Sequence, residues 1–285
     1  MTDVLPGFVT RFAPSPTGLL HLGHAHAALF AARRAAQSGG RFLLRIEDID
    51  RGRCRLEFEA ALGDDLRWLG LSWPEPVRRQ SEHLADYQAA LDRLRSRGLL
   101  YPCFCTRRDI AEEIARSGAA PQGPDGPLYP GICRDLAGGE RRARHAAGES
   151  FALRLDVAKA RALAGPLSWF DHGHGEFRAT PEIHGDVVLA RKEIATSYHL
   201  SVVVDDAIQG ITLVTRGEDL LPATHLHRLL QALLDLPAPA YHHHGLLTDK
   251  DGRRLAKRDD APSLRGLRAA GHSAAAVRAM AGFAD

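Results

Sequence analysis

The spacing of apolar residues in the first hundred positions predicts strands and helices in turn. The pattern indicates two short strands and three amphipathic helices: strands at 8–12 and 41–46, and helices at 22–37, 55–70 and 82–97. Pro14 and Pro16 end the first strand, and a glycine lies at the end of each helix. Because strands and helices alternate, we expect a parallel sheet with crossover helices.

The pattern changes near Tyr101. Residues 117–131 hold four glycines and four prolines, which is typical of loops. Residues 151–157 and 167–178 then resemble antiparallel strands. The apolar segments 202–204 and 211–214 predict strand–turn–strand, and a helix is predicted at 223–235. We therefore expect a parallel-sheet domain interrupted by an insertion: first half at 1–100, inserted subdomain at 101–184, second half at 185–285.

The composition is that of an ordinary globular protein. Hydrophobic residues make up 45% of the 285 positions, charged residues 25%, and the net charge is +2. This balance neither requires nor excludes a nucleic-acid partner. The sequence contains neither a secretory signal nor 18 consecutive apolar residues, so we expect a cytoplasmic protein with no membrane contact.

The segment between the first strand and the first helix is a candidate nucleotide site. Residues 14–24 read PSPTGLLHLGH. A glycine in such a turn lets a nucleotide approach the backbone, and a helix N-terminus favours the negative charge of phosphates. His21 and His24 lie on one face of the first helical turn, where both rings can donate to a phosphate. Two surface histidines would look similar, but the preceding strand and turn favour a nucleotide site.

A basic run lies far downstream at residues 253–258 (RRLAKR), after the turn sequence Asp251-Gly252. Such a run is by itself usually an exposed basic loop. A loop lysine can also neutralise charge that develops on a triphosphate, which makes Lys257 a candidate catalytic residue.

These two segments resemble the HIGH and KMSKS signatures of class I aminoacyl-tRNA synthetases. Four further segments resemble the glutamyl branch of that family: 11–18 (RFAPSPTG), 45–50 (RIEDID), 198–206 (YHLSVVVDD) and 216–220 (RGEDL). The matches occur in order over most of the chain. Leu22 replaces the isoleucine of the first signature, and the second signature shares only its fourth residue, Lys257.

Recognition of glutamate needs partners for two carboxylates and one ammonium. A planar arginine binds a carboxylate through two hydrogen bonds, and an ammonium needs a carboxylate. A structural ion pair is the competing interpretation for any one of these residues. The resemblance implies that Arg11 and Arg216 bind the side-chain carboxylate and that Glu47 binds the ammonium.

The resemblance also implies the rest of the site and the fold. It implies a Rossmann-like α/β fold with a parallel sheet and an inserted zinc-bearing α+β subdomain, and Mg²⁺ bound with ATP. The implied catalytic residues are His21, His24 and Lys257. The implied glutamate contacts are Arg11, Ala13, Ser15, Glu47, Tyr198 and Arg216, and the implied ATP contacts are His21, Gly23, His24 and Lys257.

Three of the four cysteines, Cys103, Cys105 and Cys133, lie close in sequence and are candidate zinc ligands. A fourth donor would be needed, and Asp135 and His145 are nearby candidates. The resemblance implies instead Tyr129, four residues before the last cysteine, and one Zn²⁺ per chain. Three small buried thiols are the competing interpretation. Cys54 has no partner in sequence.

The acceptor is suggested by length. Only 27 residues follow Arg258, whereas an anticodon-binding region needs on the order of 100 residues. We therefore expect the stand-alone paralogue family, the glutamyl-queuosine tRNA(Asp) synthetases, which are ligases. The implied partners are ATP, L-glutamate and tRNA(Asp) bearing queuosine, and we expect a monomer. Three alternatives remain: a truncated glutamyl-tRNA synthetase charging tRNA(Glu), a small nucleotidylyltransferase, and a non-catalytic RNA-binding zinc module.

Overall fold

The computed structural model describes residues 7–117, 121–247 and 262–284 of the chain. The strands are β1 Val9–Phe12, β2 Arg41–Ile46, β3 Arg78–Arg79, β4 Leu100–Cys103, β5 Gln122–Gly123, β6 Gly126–Pro127, β7 Ala152–Leu155, β8 Ser168–Asp171, β9 Gly175–Arg178, β10 Val188–Ala190, β11 Leu213–Gly217 and β12 Ala240–His244. The helices are α1 Leu22–Gln37, α2 Leu56–Trp68, α3 Leu84–Ser96, α4 Arg107–Ser117, α5 Gly138–Ala146, α6 Val157–Ala164, α7 Tyr198–Ile208, α8 Leu221–Leu233, α9 Leu264–Ala269 and α10 Ala274–Met280.

The parallel sheet predicted from the alternating pattern is present. Strand β2 pairs in parallel with β1 and β3, and β12 pairs in parallel with β11 and β8. The two groups meet where the Thr212 N–H donates to the Val9 carbonyl at 3.0 Å, which places β1 beside β11. Across the sheet the strands lie in the order β3-β2-β1-β11-β12-β8. Successive strands are added in one direction from β1 to β3 and in the opposite direction from β11 to β12, so the order reverses between β1 and β11. In open α/β sheets, ligands bind at this point of reversal, beyond the carboxyl ends of the strands.

Two apolar clusters hold the helices in place. One contains Ala25, Ala28 and Leu29 of α1 with Leu44 and Ile46 of β2, and helices α2, α9 and α10 add to it. The other contains side chains of α3, α6, α7 and α8 with those of β7. Most of these helices contribute one apolar face to their cluster, whereas α7 is buried on all sides. Across the described ranges, every helix is too short or too polar to cross a bilayer.

A smaller antiparallel sheet has the order β10-β7-β4, and β5 and β6 form a hairpin. The predicted insertion at 101–184 contains most of these strands. It also contains β8, which pairs antiparallel with β9 and in parallel with β12 of the large sheet. The large sheet therefore takes a strand from inside the predicted insertion, and the domain boundaries stay a prediction.

One predicted element is wrong. Residues 202–204 were expected to form a strand, but they lie in the middle of helix α7. Seven consecutive α7 residues, 200–206, are buried, so the helix is enclosed on all sides. A short β-branched run in a fully buried helix has no polar face, and its pattern is then the same as that of a buried strand.

Helix α7 carries two buried carboxylates in its last turn, Asp205 and Asp206. Asp205 accepts from Arg78 Nε at 2.7 Å, from Gln80 at 2.8 Å and from the Tyr87 hydroxyl at 3.0 Å. Asp206 accepts from Arg11 Nε at 2.9 Å and from Arg45 NH1 at 2.7 Å. Burial acts to raise the Asp206 pKa, but the two guanidinium groups outweigh it and the pKa is lowered. These pairs join β1, β2 and β3 to α7.

We expect Asp206→Asn to lower the free energy of unfolding by about 3–5 kcal/mol, because it leaves two buried arginines without a full counter-charge. Urea unfolding with its m-value measures this. The matched control is Asp64→Asn, whose carboxylate is 65% exposed and 4.0 Å from Arg67, and which should change stability by less than about 0.5 kcal/mol. Equal midpoints for the two variants would show that the Asp206 pairs do not stabilise the fold.

Candidate active site

A large cavity lies at the point where the order of the strands in the sheet reverses. Its volume is about 550 Å³, and it opens beyond the carboxyl ends of β1, β2, β11 and β12, beside the start of α1. Nine of the ten residues predicted for the site line it: Arg11, Ala13, Ser15, His21, Gly23, His24, Glu47, Tyr198 and Arg216. The tenth, Lys257, lies outside the described residues.

The segment that carries Lys257 is joined to this cavity on both sides. Leu247, the last described residue before it, lines the cavity. After it, Ser263 forms a β-bridge with His21, and the Leu264 N–H donates to the Leu20 carbonyl at 2.8 Å. The described residues on both sides of the predicted signature segment therefore lie at this cavity.

His21 and His24 cap helix α1. The Nδ1 atom of His21 accepts from the Gly23 N–H at 3.1 Å, and Nδ1 of His24 accepts from the His21 N–H at 3.2 Å. Because both Nδ1 atoms are acceptors, each neutral ring carries its proton on Nε2. The helix of 16 residues thus begins with two imidazole donors and the positive end of its dipole, as the sequence predicts.

The Arg11 charge is largely neutralised inside the protein. Its guanidinium donates to both oxygens of Asp206 and, through NH1, to the Thr215 carbonyl at 3.1 Å. Two of its five N–H groups are not used in these three bonds. Arg11 can still donate to a carboxylate in the cavity, but its field there is weakened by Asp206.

Glu47 lies opposite this pair, at the end of β2. Its carboxylate accepts from Arg45 NH2 at 3.1 Å, and its side chain is almost completely buried. Burial raises the pKa of Glu47 above its ordinary value of 4.5, although Arg45 and Arg11 act in the opposite direction. An ammonium group placed beside Glu47 would favour the charged carboxylate.

Arg216 has a different set of partners. Its Nε atom donates to His243 Nε2 at 3.1 Å, and its Nη2 atom donates to Thr224 Oγ1 at 2.5 Å. Its Nη1 atom donates to His227 Nδ1 at 3.1 Å and to the Tyr198 hydroxyl at 3.4 Å. All four acceptors are uncharged when they accept. Within the described residues, no carboxylate oxygen lies within ion-pair distance of its guanidinium.

The sequence did not identify Arg45, Asp206, Thr224, His227 or His243 as site residues. Arg45 and Asp206 stand inside the segments that resemble the glutamyl branch, so their position was a usable signal. The other three had no sequence signal, because they reach Arg216 only through tertiary packing of α8 and the register of β12. That register places His243 directly opposite Arg216.

The predicted metal ligands come together beside the small sheet. The thiols of Cys103, Cys105 and Cys133 lie within 4.8 Å of one another. The Tyr129 hydroxyl is 3.4 Å from Cys103 Sγ and 3.6 Å from Cys105 Sγ, and the Cys105 and Cys133 sulfurs are 3.3 Å apart. Tetrahedral zinc with Zn–S bonds of about 2.3 Å needs ligand separations of about 3.5–3.8 Å. The four donors therefore fit a zinc ion.

The alternative ligands are elsewhere. Asp135 is exposed and pairs with Arg134, while His145 packs against the Phe151 ring. Cys54 lies outside the cluster and lines a second cavity. The described part of the chain thus offers Tyr129 as the fourth donor closest to the thiols, as the resemblance implies.

Comparison with known proteins gives the family. The profile of the tRNA synthetases class I (E and Q), catalytic domain, matches residues 8–279. The glutamyl-Q tRNA(Asp) synthetase of Rhodobacter capsulatus is 54% identical over 279 residues, covering 96% of this chain and 100% of that protein. A protein of the same name from Nocardia farcinica is 47% identical, covering 96% of this chain and 83% of that protein.

A solved structure confirms the fold. The glutamate-tRNA synthetase of Elizabethkingia anophelis superposes with a TM-score of 0.76 at 28% identity, over 90% of this chain and 55% of that one. The chain thus spans about half the length of this solved relative. The Rossmann-like α/β fold predicted from the sequence is confirmed. With a family profile that matches nearly its whole length and a relative more than half identical, the chain belongs to the class I tRNA synthetases of the E and Q type.

Proposed function

We propose that this chain is an ATP-dependent ligase that activates L-glutamate as glutamyl-adenylate and transfers it to queuosine in the anticodon loop of tRNA(Asp). The observation that carries the proposal is the cavity in which Arg11, Glu47 and Arg216 lie beside the imidazoles at the start of α1. The two relatives named glutamyl-Q tRNA(Asp) synthetase, which this chain covers over 83–100% of their length, support queuosine as the acceptor.

The glutamate end of the cavity suits both ends of the amino acid. Arg216 and the remaining donors of Arg11 bind the side-chain carboxylate, and Glu47 binds the α-ammonium. Tyr198 closes the wall beside Arg216, while Ala13 and Ser15 line the cavity along the turn after β1. This arrangement holds the α-carboxylate towards the start of α1.

ATP is proposed to lie at the helix end of the cavity. His21 and His24 donate from Nε2 to the phosphates, and Gly23 lets the nucleotide approach the backbone. The glutamate α-carboxylate attacks the α-phosphorus, an acyl phosphate bond forms, and pyrophosphate leaves. The family implies ATP with Mg²⁺, which neutralises phosphate charge. Lys257 is proposed to neutralise the departing pyrophosphate, and this role stays a prediction.

A second cavity gives the acceptor a route to the adenylate. Its volume is about 110 Å³, and it shares Ser15, Thr17, Glu47 and Tyr198 with the large cavity. Arg53 and Arg191 lie on its wall and suit an acceptor that carries phosphates. The acceptor hydroxyl attacks the adenylate carbonyl, forming an ester and releasing AMP.

The proposal is tested first by glutamate-dependent exchange of pyrophosphate into ATP without tRNA. We expect exchange, because the partners of Arg11 and Arg216 lie within the chain and leave the pocket formed before tRNA binds. Labelled glutamate should then transfer to tRNA(Asp) with queuosine and not to tRNA lacking it, and nuclease mapping should place the label in the anticodon loop. Label on the 3′-terminal adenosine, or efficient charging of tRNA(Glu), would support a glutamyl-tRNA synthetase instead.

We expect the KM for glutamate to rise as the pH falls from neutral towards about 5. Burial raises the pKa of Glu47, so Glu47 takes up its proton at higher pH than an exposed glutamate and then cannot pair with the ammonium. Glu47→Gln should raise KM at neutral pH and flatten this dependence, whereas the exposed control Glu57→Gln should retain it. An unchanged pH slope in the Glu47 variant would refute the assignment.

We also propose that Cys103, Cys105, Tyr129 and Cys133 hold one Zn²⁺ per chain. The three thiols lie within 4.8 Å of one another, and the Tyr129 hydroxyl is 3.4–3.6 Å from two of them, so the four groups form a closed donor set of the kind that is typical of structural zinc. The surrounding segments are rich in glycine and proline, so the metal is expected to stabilise this subdomain locally.

Metal analysis of purified variants measures this. Cys105→Ser should lose most of its zinc, Tyr129→Phe should retain zinc with lower affinity, and the control Cys54→Ser should keep one equivalent. Hydrogen exchange should show that loss of metal exposes β4 and β7 more than β1 and β2. Stoichiometric zinc in Cys105→Ser would mean that the thiols are merely packed.

A further inference from the structure

The three buried arginines around the large cavity differ in how their charge is balanced. Arg45 contacts Asp206 and Glu47, and Arg11 contacts Asp206. Arg216 is equally buried, yet its four side-chain acceptors are two imidazoles, a phenol and a hydroxyl. Arg216 therefore uses four of its five N–H groups in these bonds without being neutralised in its charge, and one N–H is left over for a ligand.

The geometry fixes both imidazoles as neutral acceptors. Arginine can only donate, so His227 Nδ1 and His243 Nε2 each present a lone pair to Arg216. His243 then carries its proton on Nδ1, which donates to the buried Asp171 carboxylate at 2.7 Å. His227 carries its proton on Nε2, which donates to His199 Nδ1 at 3.1 Å.

Protonation would break this arrangement, and the surroundings oppose it. Burial lowers the pKa of His243 to about 4, and the Arg216 charge acts in the same direction. Burial also lowers the pKa of His227 well below its ordinary value, again with Arg216 acting in the same direction. His199 follows, with a pKa lowered to about 4 mainly by burial. All three rings are neutral at physiological pH.

We infer that His227 is a specificity-determining residue: it holds the Arg216 guanidinium without cancelling its charge, so the cavity selects a carboxylate over a carboxamide and glutamate over glutamine. Asp171 is a positioning residue. It accepts the proton of His243 Nδ1 and thereby keeps the lone pair of His243 Nε2 directed at Arg216. The inference rests on the proposed function, because it assumes that the substrate side chain meets Arg216.

A carboxylate at position 227 would have the opposite effect. An aspartate there places an oxygen near the present Nδ1 position and forms an internal ion pair with Arg216, whereas an asparagine places an uncharged acceptor at the same point. The two variants have nearly the same shape and both lose the bond to His199. They differ in one charge, which isolates the electrostatic contribution.

The experiment measures glutamate-dependent and glutamine-dependent pyrophosphate exchange, without tRNA, for the wild type, His227→Asn and His227→Asp. We expect the ratio of kcat/KM for glutamate to that for glutamine to be similar in the wild type and His227→Asn. In His227→Asp the ratio should fall at least about tenfold, in line with the loss of a charge-assisted hydrogen bond. The change should appear mainly in KM, since the side-chain contact is the same before and during the reaction.

A second pair of variants guards against a folding defect at position 227. Thr224→Asp gives Arg216 Nη2 a charged acceptor and Thr224→Asn gives it an uncharged one. Thermal unfolding compares the stability of each variant with that of the wild type. Equal ratios in the Asp and Asn members of a folded pair would overturn the inference and leave glutamate activation intact. Absence of any glutamate-dependent exchange in the wild type would instead overturn the proposed function.

Discussion

The architecture of the site depends on one buried carboxylate, that of Asp206. It accepts hydrogen bonds from Arg11 on β1 and Arg45 on β2 while lying on helix α7, so it joins three elements behind the Arg11 side chain that lines the cavity. Without it, Arg11 would be buried with no counter-charge in contact, and its desolvation and its repulsion from Arg45 would be uncompensated. The carboxylate also orients Arg45 towards Glu47, and thereby fixes the wall opposite Arg216.

In the function proposed above, the two arginines that bind the substrate carboxylate have separate tasks. Arg11 is held rigidly by an ion pair and contributes shape and hydrogen bonds, while Arg216 contributes net charge. A site with two unpaired buried arginines would be costly to fold, and one with two paired arginines would attract an anion weakly. Parallel pairing of β11 with β12 sustains this division, since it sets His243 opposite Arg216.

Local sequence signals predicted much of this structure because they depend on nearby residues. The bounds of α1 and β2 and the place of His21 and His24 at the start of α1 follow from short-range pattern and turn chemistry. The helix at 202–204 was missed because full burial removes the polar face that distinguishes helix from strand. His227 and Thr224 could not be predicted either. Each is an uncharged acceptor for an arginine that is distant in sequence, and the residues around it in the sequence show no pattern that indicates this contact. The loop of Lys257 lies outside the described residues.

The distance in sequence between Asp206 and its two arginines has a consequence for how the protein becomes active. The contacts that shape the cavity join distant parts of the chain: Arg11 meets Asp206 across 195 positions, and Arg45 meets it across 161. Such contacts close large loops and form late in folding, after local helices and hairpins. During synthesis, the first half of the chain emerges with Arg11 and Arg45 before Asp206, the carboxylate that both of them contact, has been made. A partly made chain thus has no competent site, and activity arises only with the strands and helices that complete the sheet.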